Sequence, residues 1–167
     1  APPLRGKKDR DCLWSALSKD RIQTISTDHC SFSLKQKMAG GNDFTAVPCG
    51  MPGVEDRAVL LYTYGVRSDK ITLNQMCRLL SENPAKLYGL FPRKGRIAAG
   101  GDADIVIFDP QALGVISAET QAYNMDYSPY EGYKTKGRVE TVYLRGHKVV
   151  DNHKITAEHE GIYLKRG

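Results

Sequence analysis

Over the first 92 residues the apolar positions fall at helical spacings broken by one alternating stretch, and beyond residue 97 they read as strands. In residues 9–19, Cys12, Leu13, Ala16 and Leu17 stand at i, i+1, i+4 and i+5, which predicts a helix with these four on one face. Residues 21–27 are β-branched and roughly alternating, and predict a strand that ends at Asp28-His29-Cys30. A polar, glycine-rich loop follows through Ala39-Gly40-Gly41-Asn42-Asp43. Next comes a tight loop, Val47-Pro48-Cys49-Gly50-Met51-Pro52-Gly53, whose two prolines and two glycines within six residues hold the backbone to one shape. Helices are predicted over 55–64 and over 72–80, the second with Thr72 as N-cap and Leu73, Met76, Cys77 and Leu80 as its stripe. A shorter one is expected over 84–88, stopped by Gly89.

The later half has a different character. Residues 103–110 predict a strand closed by Pro110, and residues 139–150 a hairpin turning at Arg145-Gly146-His147. Between them, residues 123–136 hold Tyr123, Tyr127, Tyr130 and Tyr133, four of the nine tyrosines, and read as an irregular packing loop. No internal repeat is visible. The pattern divides the chain into an α/β part and a β-sheet part. A single strand in the first part has no neighbour to pair its backbone groups. Together with the opening Ala1-Pro2-Pro3-Leu4-Arg5, this leads us to expect that partner segments are absent.

Composition narrows the class. The chain has 167 residues, 41% hydrophobic and 26% charged, the balance of an ordinary globular protein. At this length a folded chain buries about 70% of its unfolded surface. The net charge of +5 comes from basic residues spread among acidic ones, with only short runs at 7–10 and 93–96, so a nucleic-acid surface is not expected. No apolar run approaches the ~20 residues of a membrane span. Cys12, Cys30, Cys49 and Cys77 are irregularly spaced with no Cys-x-x-Cys pair, which argues against a cysteine zinc site. The expectation is reduced, mostly buried thiols in a cytoplasmic protein.

Asp28, at the end of the strand over 21–27 and before a long loop, is the best single candidate for chemistry. A carboxylate so placed can ligate a divalent metal and accept a proton from water beside it. On spacing alone, an N-cap or loop aspartate fits more readily. His29 points to the opposite side of an extended backbone from Asp28, which favours a structural role. His147 in a hairpin turn, and His153 and His159 in a polar tail, read as surface residues. No histidine pair has metal-binding spacing. Cys49 as a nucleophile lacks a visible base.

Several motifs resemble the dihydropyrimidinase/hydantoinase family, and bacterial D-hydantoinases most of all. They are Ala1-Pro2-Pro3-Leu4-Arg5, Thr27-Asp28-His29-Cys30, Gln36-Lys37, Asp43-Phe44-Thr45 and Pro52-Gly53-Val54-Glu55-Asp56-Arg57. The later chain adds Asn83-Pro84-Ala85-Lys86, Pro92-Arg93-Lys94-Gly95-Arg96-Ile97-Ala98, Gly101-Asp102-Ala103-Asp104-Ile105-Val106-Ile107 and Tyr130-Glu131-Gly132. The resemblance implies an α/β fold, the C-terminal part of an amidohydrolase (β/α)8 TIM barrel plus the C-terminal share of a β-sandwich. Residues 1–96 would be the last βα unit with its following helices, and 97–167 the sandwich portion and tail. It further implies a hydrolase acting on carbon–nitrogen bonds, which opens cyclic ureides (hydantoins or dihydropyrimidines) with a hydroxide bridging two divalent metals, usually zinc, in a homotetramer.

In that family an aspartate at the position of Asp28 ligates one metal and carries the proton to the departing ring nitrogen. Ala1 stands where the family generally has a serine, and Cys49 where it commonly has an asparagine. Both match positions that hold substrate mainly through the main chain. The family's other ligands are a His-x-His pair, a carboxylated lysine and two further histidines, all from earlier strands. The chain is therefore expected to be a C-terminal portion, catalytically silent alone. Two other classes compete: a non-catalytic dihydropyrimidinase-like assembly protein, against which Asp28 argues, and a β-module serving only as an oligomer interface. Allantoinase or dihydroorotase ancestry fits the Pro-Gly-Val-Glu and Arg-Lys-Gly-Arg-Ile-Ala stretches less well.

Overall fold

The computed structural model describes residues 3–156 and 161–166. Helix α1 (Lys7–Ser18) opens where Asp9 accepts a hydrogen bond from the Gly6 N–H at 3.1 Å, and it ends before Asp20, which takes a left-handed φ of 51°. Its buried face keeps the predicted Leu17 and half-buried Ala16 but is rotated away from the other two predicted residues. Leu17 is buried and Trp14 half-buried against the core, whereas Cys12 and Leu13 face outward.

Among the described residues, 21–27 form no ladder, and an isolated parallel bridge, His29 with Met51, follows them. The expectation of a strand fails because no neighbouring strand lies beside it among the described residues. Helices take up its backbone instead. The Ile25 N–H donates to the Leu79 carbonyl (3.3 Å), while the Gln23 and Ile25 carbonyls accept from the Asn83 side-chain amide (2.8 Å) and the Arg57 guanidinium (3.3 Å).

Helix α2 (Leu34–Met38) lies in what was read as loop. A reciprocal cap between Ser33 and Gln36 starts it. Helix α3 (Asp56–Leu61) runs straight into a π-turn, Tyr62–Val66. Helix α4 (Leu73–Cys77), capped by Thr72 and Gln75, likewise continues through a π-turn, Arg78–Glu82, into α5 (Asn83–Leu87). Two separate helices were expected here. The wider turn lies just ahead of Pro84, which cannot donate to a preceding carbonyl. On α4 the inward residues are Gln75 and Met76 rather than Leu73 and Cys77. Gln75 is buried because its amide donates to the Ser18 carbonyl (3.0 Å) and to Asp20 (3.3 Å).

The sheet has four antiparallel strands in sequence order: β1 (Ile105–Val115), β2 (Lys134–Leu144), β3 (His147–Asp151) and β4 (Lys154–Ile155). Pro110 does not close β1. The register breaks between Asp109 and Leu113, bridged by the Gln111 N–H on the Asp109 carboxylate, and pairing then resumes to Val115. Strand β2 therefore starts inside the segment expected to be irregular. Arg145 and Gly146, both at positive φ, make the two-residue turn between β2 and β3. His153 is not in a tail; it sits in a second tight turn, where its N–H donates to the Glu140 carbonyl at 3.2 Å. His147 is exposed at the start of β3, and His159 lies outside the described residues.

The core cluster is Leu17, Leu61, Tyr62, Ile71, Met76 and Leu79. Tyr62 meets Phe108 of β1 edge-on, with ring centroids 4.9 Å apart, and this joins helices to sheet. Gly137 makes room for that pair. Its φ is 79°, and an added Cβ would stand 2.4 Å from the Phe108 ring and 2.8 Å from Tyr62. Gly137→Ala is expected to destabilise the fold by about 3 kcal/mol, from overpacking and a left-handed backbone together. Urea unfolding of the variant checks this, and a loss below ~1 kcal/mol would contradict it.

The helices also close one edge of the sheet. Where β3 does not reach, the Thr63 hydroxyl accepts from the Lys136 N–H (3.0 Å), and its one proton faces both the Val59 carbonyl (2.7 Å) and the Lys136 carbonyl (2.9 Å). The Tyr64 hydroxyl donates to the Lys134 carbonyl (2.9 Å). The four thiols are free, but Cys12, Cys49 and Cys77 are exposed and Cys30 is half-buried, contrary to the expectation of buried cysteines. Among the described residues no helix is long and apolar enough to cross a membrane.

Candidate active site

Asp28 sits at φ 48°, a left-handed conformation that aspartate tolerates better than most side chains. Its carboxylate is exposed and, among the described residues, makes no hydrogen bond or ion pair. The next residue is tied down. His29 Nδ1 accepts from the Gly53 and Val54 N–H groups (3.1 and 3.3 Å), which leaves the proton on Nε2, 3.2 Å from the Ser31 hydroxyl.

The bridge of His29 with Met51 is parallel, and the Cys30 N–H donates to the Met51 carbonyl at 3.1 Å. Both segments therefore run the same way, and Asp28 lies at the same end of the bridge as Gly50 and Cys49. Lys37, projecting from α2, donates through Nζ to the Pro48 carbonyl (2.5 Å) and to the Gly50 carbonyl (2.7 Å). One cation thus fixes the carbonyls on both sides of Cys49. Among the described residues the N–H and C=O of Cys49 itself bond to nothing, and its side chain is exposed. A free main-chain donor and acceptor on a clamped loop suit a small ring carrying an amide edge. Ala1, the other expected substrate position, lies outside the described residues.

A third element closes on this pair of loops from the sheet side. The Gly53-Val54-Glu55-Asp56 corner that starts α3 receives residues 121–123: Glu55 accepts from the Ala122 and Tyr123 N–H groups (2.7 and 3.3 Å). Asp56 accepts from the Gln121 side chain (2.7 Å) and the Tyr123 hydroxyl (3.4 Å). Tyr123 meets the His29 ring edge-on, with centroids 5.4 Å apart at 64°. Further along, Asp126 accepts from the Leu34 N–H at the start of α2 (2.9 Å). Glu55, Asp56, Tyr123 and Lys37 had no assigned role in the sequence. The contacts of Glu55 and Asp56 span 65 to 68 residues, and no local pattern announces them.

Asp56 is 1% exposed, and this burial raises its carboxyl above the usual range, against the lowering effect of the Gln121 and Tyr123 hydrogen bonds. A carboxyl raised in the folded state contributes stability that is whole below its unfolded value, about 3.9, and lost as pH climbs through the folded value. Asp56→Asn keeps an acceptor for Gln121 and removes that titration. Its stability relative to the parent is expected to rise from pH 4 to pH 7, measured by urea unfolding at each pH; a flat or falling difference contradicts it.

A divalent ion could use the Asp28 carboxylate, an exposed anionic oxygen pair with no competing partner. His29 cannot join it through Nδ1, which is already engaged. Among the described residues no three His, Cys, Asp or Glu side chains converge to hold a metal.

Residues 2–149 match the amidohydrolase family model. Over 167 residues the chain is 48% identical to a D-hydantoinase of Ralstonia pickettii, an alignment covering 99% of this chain and 36% of that one. It is 38% identical to a D-phenylhydantoinase of Escherichia coli O1:K1 / APEC, again over 99% of this chain and 36% of the relative. The crystal structure of dihydropyrimidinase from Brevibacillus agri NCHU1002 superposes with a TM-score of 0.90 at 49% identity, covering 93% of this chain and 34% of that chain. The chain thus spans about a third of the length of these relatives. A family match over residues 2–149, together with 48% identity to a relative across 99% of the chain, places the chain in the amidohydrolase family.

Proposed function

We propose that the polypeptide carrying this chain hydrolyses the cyclic amide bond of hydantoins or dihydropyrimidines, with Asp28 as metal ligand and proton carrier. The observation that carries this reading is the Asp28 carboxylate at the same end of the His29–Met51 bridge as the main chain of Cys49, both unbonded among the described residues, within a chain 48% identical to a D-hydantoinase. In this reading residues 1–96 are the last βα unit of a (β/α)8 barrel with its following helices. Residues 97–167 belong to a β-sandwich, and the remaining metal ligands come from the part of the family fold that this chain does not span.

Two divalent ions, zinc by resemblance, supply when bound the Lewis acidity that makes water nucleophilic at neutral pH. This chain supplies the rest of its share. Asp28 holds one cation through its carboxylate, takes the proton of the attacking water at an oxygen and returns it to the departing ring nitrogen. Cys49 offers its N–H and C=O to the amide edge of the ring, and Ala1 is assigned a similar main-chain part. Neither needs a particular side chain, which reconciles these residues with the serine and asparagine usual at the two positions. A cytoplasmic homotetramer completes the proposal.

The test follows ring opening of 5-phenylhydantoin and of dihydrouracil by the full-length polypeptide with zinc. Turnover of either supports the reading, and the 167-residue chain alone is expected to show none. Failure of the full-length polypeptide to open both rings, or turnover by the short chain, would sink it.

A further inference from the structure

We propose that Lys37 is a positioning residue for the main chain of Cys49, acting through the carbonyls on either side of it. This rests on the reading of Cys49 as a holder of the ring's amide edge. Nζ of Lys37 donates to the Pro48 carbonyl (2.5 Å) and to the Gly50 carbonyl (2.7 Å), and both bonds are partly buried. A lysine that only solvated α2 would keep its stem mobile in water. Here the stem is ordered onto acceptors 11 and 13 residues further along, an entropic cost that two charge-assisted bonds offset. The group suits the task, because a compact ammonium with three donors serves two oxygens at once. Its base is firm. The Lys37 N–H donates to the Ser33 carbonyl (3.0 Å) inside the capped turn, and the Leu34 N–H donates to Asp126 (2.9 Å).

The clamp fixes more than two oxygens. The Pro48–Cys49 peptide is trans, and a planar trans unit carries its C=O and its N–H in opposite directions. With the Pro48 carbonyl held on Lys37, the Cys49 N–H points away from that ammonium. The Gly50 carbonyl orients the peptide after Gly50 in the same way. The Cys49–Gly50 unit, which carries the Cys49 carbonyl, is therefore caught between two oriented neighbours. The cation also polarises the Pro48 carbonyl, and through the shared peptide it makes the Cys49 N–H a stronger donor. Other groups hold the ends of the loop. The Val47 N–H donates to the Phe44 carbonyl (3.3 Å), and the Met51 carbonyl accepts from the Cys30 N–H (3.1 Å). Lys37 takes the stretch between them, the stretch that would meet the ring.

The experiment compares Lys37→Met and Lys37→Arg in the full-length zinc-loaded polypeptide. It measures kcat and KM on 5-phenylhydantoin, zinc content, and amide hydrogen exchange of peptides covering 44–51 and, as a control, 139–150. Met keeps the length of the stem and removes its charge and donors. The ring is then gripped less well while Asp28 still acts, so KM is expected to rise at least about tenfold with kcat within threefold. Zinc content should not change. Exchange should quicken at least tenfold over 44–51 while 139–150 is unchanged. Arg restores the charge and N–H donors, and its KM is expected within fivefold of the parent. A Met variant with KM and 44–51 exchange within threefold of the parent overturns the proposal. So does a loss confined to kcat or traced to missing zinc, and so does an Arg variant as impaired as Met. Should Met not fold, Lys37→Gln shortens the stem and removes the charge. The same rise in KM is expected of it, and a parental KM overturns the idea. If the parent opens no hydantoin, the functional reading fails by itself, while exchange over 44–51 still decides whether Lys37 holds the loop.

Discussion

Asp28→Asn is expected to lower kcat for ring opening by about a thousandfold or more, while leaving the melting temperature within about a degree of the parent. Asparagine has nearly the same shape and tolerates the left-handed backbone at this position. The carboxylate is exposed and unbonded among the described residues, so its neutralisation removes no contact that holds the fold. What the amide cannot do is accept a proton or offer a full negative charge to a cation. Loss of an acid–base group accounts for a factor of about 100 to 10,000, and a weakened metal site adds to it. A thousandfold corresponds to about 4 kcal/mol of transition-state stabilisation. Steady-state kinetics at saturating zinc, with metal content measured on the same samples, checks the expectation. A variant within tenfold of the parent would remove Asp28 from the chemistry.

Gly50→Ala is expected to disable the site by a different route. A Cβ at Gly50 would lie 2.3 Å from Cys30 Sγ and 2.4 Å from Cys30 Cβ, on a backbone at φ 106°. The loop has to back away from Cys30. That strains the Cys30-to-Met51 backbone bond and pulls the Gly50 carbonyl from Lys37. Overpacking and the unfavourable φ together cost about 3 kcal/mol. With the bridge and the Lys37 clamp loosened, the main chain of Cys49 is no longer held in place, and kcat/KM is expected to fall at least tenfold. The double change Cys30→Gly with Gly50→Ala removes both short contacts and leaves the Cys30 Cα at 3.8 Å. It should recover at least half of the lost stability, read by urea unfolding. No recovery would mean that backbone conformation, not crowding, dominates.

The readable parts of this molecule were those whose cause is local. Thr72 with Gln75, and the Arg145-Gly146 turn between alternating strands, carry their own instructions within four residues, and the structure has a cap and a hairpin at those places. Residues 21–27 have the side chains of a strand, but pairing needs a neighbour, and the neighbours here are helices. Helix α2 is short, and its Ser33–Gln36 cap was obscured by the glycines that follow. The π-turns at 62–66 and 78–82 leave no mark on the apolar period, so the inward face of α4 was misplaced by a fraction of a turn. Asp28 was a candidate by its place after a β-branched stretch, and only resemblance gave it a role. The contacts of Glu55 and Asp56 with 121–123 cross more than sixty residues and became visible only in three dimensions.

The hydroxyl seal on β2 has a consequence for how this sheet can grow. The main chain of Lys136 and the carbonyl of Lys134 are contacted by the Thr63 and Tyr64 hydroxyls, so a strand docking along that margin would have to displace them. A polypeptide joining the sheet without displacing them comes alongside β1, where the missing N–H of Pro110 divides the available border into two short docking lengths, or alongside β4. The helices therefore act as a topological filter, deciding which flank is open to recruitment.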